Sequence, residues 1–112
     1  MTPGARTDVV RRCFAAYESG DRAAIEELLA EDLRFWSPPD PGIDRATYFE
    51  RCWPGNEHLR AFEFVRLQEI GDEVVVTYEA ERMDGSRFRN TEIFGFAGDR
   101  IRTVEVYFGW NL

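Results

Sequence analysis

From Ala61 onward the chain repeats one pattern, a long run alternating with period two, followed by a dipeptide that turns it back. The runs are Ala61–Ile70, Glu73–Met83, Ser86–Ala97 and Ile101–Phe108, and the dipeptides are Gly71-Asp72, Asp84-Gly85 and Gly98-Asp99. Each dipeptide carries a glycine that reaches the positive φ of a tight hairpin without steric cost. The pattern therefore predicts four hairpin-linked strands in an antiparallel meander. These strands exceed the usual length of about five or six residues, and a long antiparallel sheet with right-handed twist curls instead of lying flat. One face of the curl can then enclose space.

The first half has helical periodicity. Thr7 or Asp8 is positioned to cap a helix whose stripe is Val10, Cys13, Phe14 and Tyr17, and Gly20 stops it. Asp21 caps a second helix with Ile25, Leu28 and Leu29 inward and Arg22, Glu26 and Glu27 toward water. Leu33–Ser37 reads as a short strand ended by Pro38, Pro39 and Pro41. Asp44 caps a third helix carrying Tyr48, Phe49, Cys52 and Trp53, closed by Pro54-Gly55. The fold class is α+β, a curved antiparallel sheet of a four-strand meander plus a short strand, covered by three N-terminal helices. No linker, repeat or low-complexity segment divides the 112 residues, so 1–112 is expected to be a single domain.

Composition narrows the partners. Hydrophobic residues make up 44% and aromatic residues 14%, enough for a core with rings left over for a pocket or interface. The formal charge of -7, from 21 acidic against 14 basic residues, disfavours nucleic acid and anionic membrane surfaces. No run is long enough to span a bilayer, and Met1 to Arg6 has no apolar segment of the secretory kind, so a cytoplasmic location is expected. Cys13 and Cys52 lie on helical stripes and read as reduced core residues. The only histidine, His58, is not placed beside either thiol. One histidine and scattered carboxylates make no metal cluster, and no glycine-rich phosphate loop is present, so no cofactor or metal is expected.

The element order, with the ending Phe94-Gly-Phe-Ala-Gly-Asp-Arg-Ile101 and Glu105-Val-Tyr-Phe-Gly-Trp110, resembles the nuclear transport factor 2-like superfamily and, within it, the SnoaL-like proteins. The resemblance covers nearly the whole chain. It implies a cone whose helices close the concave sheet face over a pocket, and a homodimer formed through the outer sheet face. It implies no single activity, because the superfamily includes polyketide cyclases, ketosteroid isomerases, epoxide hydrolases, dehydratases and proteins without chemistry.

Alternation indicates which strand residues share the inner face. Val74, Val76, Tyr78 and Ala80 bring Arg82 with them, while Phe88, Phe94 and Phe96 bring Asn90 and Glu92. A carboxyl group in an apolar cavity has its pKa raised and can exchange protons near neutrality, which makes Glu92 the catalytic candidate. Arg82 is a candidate partner for it, and Tyr78 and Asn90 could hold a substrate oxygen. Against this stand a purely structural Glu92–Arg82 cross-strand pair and a Glu92 at a wet rim. In the last strand Ile101, Thr103, Glu105 and Tyr107 compete with Val104, Val106 and Phe108 for the inner face. The second set is favoured inward, with Glu105 and Tyr107 outward, and a bulge could change the parity midway.

The expected lining is Phe14, Tyr17, Trp36, Phe49, Trp53, Tyr78 and Phe94, with Asn90 and Glu92. The histidine–aspartate set of the SnoaL-type cyclases has no counterpart, since the meander has no histidine. The Asp-Arg-Asp set of the epoxide hydrolases is also missing, because Val106 precedes Tyr107-Phe108. Two functions remain. One is a cavity protein for a small, largely apolar metabolite, with isomerase, cyclase or dehydratase chemistry on Glu92; the other is a non-catalytic dimeric module whose rings fill its own cavity.

Overall fold

The chain runs α1 (Ala5–Ser19), α2 (Arg22–Leu28), β1 (Leu29–Ser37), β2 (Asp40–Asp44), α3 (Arg45–Arg51), β3 (Leu59–Ile70), β4 (Glu73–Arg82), β5 (Arg87–Ala97) and β6 (Arg100–Asn111). These elements come from a computed structural model that describes residues 4–53 and 59–112. Pro54-Gly55 and His58 therefore lie outside the described residues.

The meander forms at the expected turns. Gly71, Gly85 and Gly98 take φ values of 61°, 88° and 62°, the left-handed region that reverses the chain between paired strands. Between β4 and β5 the register is unbroken, setting Val74 opposite Phe94, Val76 opposite Glu92, Tyr78 opposite Asn90 and Ala80 opposite Phe88. Bulges interrupt the neighbouring ladders, at Arg60 and Val65 in β3 and at two places between β5 and β6, and such bulges bend a sheet.

One of these bulges resolves the competition within β6. Phe96 pairs with Ile101 and Gly95 with Thr103, leaving Arg102 as the extra residue. Parity changes there, so Ile101 and Val104 are both buried although three positions apart. Beyond it Val106 and Phe108 stay inward, and Glu105 and Tyr107 point to the outer face. Gly109 is the extra residue of the second bulge. A Cβ on it would collide with the Arg89 carbonyl oxygen, so the ladder closes there only around glycine.

The sheet corrects the expectation of five antiparallel strands. It has six, in the order β2-β1-β6-β5-β4-β3, and β1 runs parallel to β6, so the sheet is mixed. Strand β1 begins at Leu29, which had been read into the second helix, because the chain passes from α2 into extended backbone without a loop. The prolines do not end the strand region. Pro38 and Pro39 form a turn, and Pro41 sits in β2, the edge strand, where a missing N–H leaves no interior ladder bond unmade.

The helices cover the concave face. Asp21 and Asp44 cap α2 and α3 by accepting from the backbone N–H of Ala24 and Thr47 at 3.1 and 2.9 Å. Helix α1 starts earlier than read. Its N-cap is Gly4, and Thr7 lies in the first turn with its hydroxyl donating to the Gly4 carbonyl at 2.8 Å. Val10, Phe14 and Ile25 then pack against Val74, Val76 and Phe94 in one continuous core.

Candidate functional site

The curved sheet does not collapse onto its helices. A cavity of about 370 Å³ remains, walled by Cys13, Phe14 and Tyr17 of α1, by Tyr48 and Cys52 on the α3 side, and by residues of all six strands. The wall is mostly apolar, with aromatic rings from Phe35, Phe62, Phe88 and Phe94. Phe14 keys the helix into the sheet. Its ring meets Phe62, Tyr78 and Phe94 edge-on at centroid distances of 5.0, 5.0 and 6.0 Å.

The carboxyl of Glu92 enters this wall from β5, placed by its register opposite Val76 and Val106. Tyr78 Oη donates to Glu92 Oε2 at 2.5 Å, and Asn90 Nδ2 donates to Tyr78 Oη at 3.5 Å. Glu92 joins none of the ion pairs among the described residues. Burial among apolar groups pushes its pKa up from 4.5 to about 7, with the Tyr78 hydrogen bond opposing the rise. Burial, and secondly the negative charge of Glu92, raises the Tyr78 hydroxyl as well, so Tyr78 remains a donor throughout the neutral range. Glu92 thus exchanges a proton near neutrality beside a fixed phenol, which is the equipment of general acid–base chemistry.

The structure sorts the other candidates. Phe14, Tyr17, Tyr78 and Phe94 line the cavity. Trp36 does not, since Phe35 takes the inward place and turns the indole outward, where it is 39% exposed beside Glu105. Phe49 is buried on the far side of α3, under the guanidinium groups of Arg22 and Arg45 at 4.6 and 5.1 Å. Trp53 packs behind Tyr17 at 5.1 Å and not on the cavity itself. Asn90 faces inward but borders a second, outer chamber.

Arg82 lines the cavity without reaching Glu92. It pairs at the hairpin end, with Ser86, while Glu92 lies six positions further along β5, so the proposed cross-strand pair is absent. The structural ion-pair reading of Glu92 falls with it. The thiols of Cys13 and Cys52 are free as expected; Cys13 belongs to the core and Cys52 packs against it, and both also border the cavity. Burial pushes them to about 12 and about 11, which keeps them as neutral thiols.

The model of the SnoaL-like domain matches residues 10–104. The chain belongs to this family. Among solved structures, an epoxide hydrolase of M. tuberculosis described as LEH-like is similar at a TM-score of 0.82 and 16% identity, covering 97% of this chain and 83% of that one. A Kribbella flavida protein put forward as a ketosteroid isomerase is similar at 0.78 and 21%, covering 94% and 78%. A de novo designed protein with a curved β-sheet is similar at 0.84 and 16%, covering 97% and 88%. At these identities the likeness shows the fold alone, and a fold of this kind does not fix an activity. No curated protein sequence matches the chain.

In this SnoaL-like domain a polar cluster that the sequence reading missed lies on the cavity wall around the turn between β1 and β2. Asp40, only 7% exposed, accepts from Ser37 Oγ at 3.0 Å and lies 2.9 Å from Arg51 Nη2. Tyr48 Oη donates to Tyr17 Oη at 3.3 Å, and Tyr17 Oη donates to the Cys52 carbonyl at 3.0 Å. These phenols are committed within the wall, so Glu92 and Tyr78 are the polar pair best placed to meet a guest. Among the described residues, no group of three His, Cys, Asp or Glu side chains is arranged to hold a metal ion, and no helix is long and apolar enough to cross a membrane.

Proposed function

We propose that this SnoaL-like domain binds a small, largely apolar metabolite in its cavity and transfers a proton on it through Glu92, as an isomerase, cyclase or dehydratase does. One observation carries the reading: a carboxyl without a cationic partner stands in an aromatic-lined cavity of about 370 Å³. An apolar wall with a few placed polar groups is the usual form of a small-molecule site. Burial that raises the Glu92 pKa is how a fold brings a carboxylic acid to work near neutral pH. Tyr78 orients the carboxyl and can share a hydrogen bond with a substrate oxygen. The alternative of a cavity filled by its own rings is disfavoured by the open volume between α1 and the sheet.

The test is a thermal-shift screen of apolar carbonyl and hydroxyl compounds, followed by turnover of whichever compounds stabilise the fold. Glu92→Gln is expected to lower turnover by about 10²–10⁴-fold while ligand binding persists. Turnover that survives Glu92→Gln removes Glu92 from the chemistry.

We also propose that a second copy covers the outer sheet face. Tyr107 on β6 is 52% exposed and Trp36 on the neighbouring strand β1 is 39% exposed, large rings of the kind that association buries. Sedimentation should report a dimer for the wild type and a monomer for Tyr107→Asp. A wild-type chain that sediments as a monomer at tens of micromolar contradicts it.

A further inference from the structure

The cavity continues into an outer chamber of about 350 Å³, and the two share Arg82, Phe88 and Phe108 in their walls. Asn90, Gly109, Trp110 and Asn111 complete the outer chamber, and no carboxylate lines it among the described residues. Among the described residues, Arg82 is the only cationic side chain on either wall.

What sets Arg82 apart is its place at the junction of the two chambers, together with its lack of an ion pair among the described residues. On the outer face Arg87 and Arg89 are both bound to Glu79, and elsewhere Arg51 meets Asp40 and Arg60 meets Glu81. Arg82 joins none of the ion pairs among the described residues. Its guanidinium lies over the Phe88 ring at 4.2 Å, and among the described residues its one side-chain hydrogen bond runs to Ser86 Oγ at 3.3 Å. The nearby Asp84 carboxylate is occupied by the Ser86 backbone N–H and hydroxyl at 2.9 and 2.7 Å. A guanidinium held over a ring face can still offer N–H donors in the fork that matches a carboxylate.

We propose that the two chambers hold one ligand, an apolar body in the inner cavity ending in a carboxylate that Arg82 binds at the mouth. The inference rests on the cavity reading above and adds the class of substrate, an apolar carboxylic acid. Arg82 and Glu92 are separated by six positions of register, about 20 Å of strand at about 3.3 Å per residue. The reacting carbon would therefore sit well inside, away from the anionic head. The inner chamber has room for about twelve waters at about 30 Å³ each, which suits a ring with a short chain.

Calorimetry with 6-phenylhexanoate and 6-phenylhexan-1-ol at pH 6 tests this, because the probes share a body and differ in the head group. The wild type is expected to bind the carboxylate at least about tenfold more tightly than the alcohol, a difference of about 1.4 kcal/mol. Arg82→Gln should bring the two affinities together by weakening the carboxylate alone, and Arg82→Lys should keep most of the preference. Equal affinities in the wild type, or a preference that persists in Arg82→Gln, overturn the role of Arg82 while alcohol binding leaves the cavity reading in place. If neither probe binds the wild type, both readings fall.

Discussion

Truncating Phe14 to alanine is expected to cost the fold about 3–5 kcal/mol, a large share of the about 5–15 kcal/mol that holds a domain of this size together. Phe14 is 7% exposed and is the contact through which α1 grips the sheet. Its ring touches Phe62, Phe64, Tyr78 and Phe94, which come from three different strands. Removing it deletes those edge-on contacts and enlarges a cavity that is already open, so nearby atoms cannot easily close the gap. Urea denaturation should show the midpoint falling with little change in slope, and Phe14→Leu should recover more than half of the loss. A cost below about 1 kcal/mol would mean that α1 is held by something other than this ring.

Exchanging Glu92 for glutamine is expected to remove a pH dependence from stability. Below its ordinary value of 4.5 the carboxyl is protonated in both folded and unfolded chains, and Glu92 costs nothing. Between 4.5 and about 7 the unfolded chain ionises while the folded one resists, so the wild type loses stability as pH rises through that window. Above about 7 both states are ionised and the penalty is constant. At about 1.4 kcal/mol per pH unit, the ceiling is about 3.5 kcal/mol, reduced by whatever water reaches the carboxyl through the cavity. Glu92→Gln should therefore gain on the wild type from pH 4.5 to 7 and hold a fixed margin above it. Comparing the two proteins cancels Glu79, Asp44 and Asp84, whose hydrogen bonds lower their pKa values and act in the opposite sense. Stability curves that run parallel across the window would place Glu92 in water.

The meander was legible because its signals are local: alternation, and a glycine where the backbone must turn. The same alternation put Glu92 inside, since Phe88 and Phe94 share its parity on an unbroken stretch of strand. Position along the strand was also available, because a turn at Asp84-Gly85 pairs Arg82 with Ser86 and so carries Glu92 far from it. Other features had no local signal. Strand β2 was hidden by prolines that only an edge strand tolerates, and the parallel union of β1 with β6 joins segments about seventy residues apart. Trp36 and Phe35 are adjacent, so one had to face out, and nothing in so short a run said which. Tyr48 and Phe49 are neighbours on a helix of seven residues that is covered on two sides, so burial alone did not mark the cavity wall. Asp40 lay among prolines, and its burial depends on Arg51 and Ser37 closing around it.

The most direct measurement is a pH titration of the Glu92 side-chain carboxyl by ¹³C NMR, repeated with 6-phenylhexan-1-ol present. A carboxyl in an apolar, ligand-accepting cavity should titrate near 7, and the neutral probe, by displacing water, should move the midpoint higher. A midpoint near 4.5 that the probe leaves unmoved would contradict both the buried acid and the cavity that it serves.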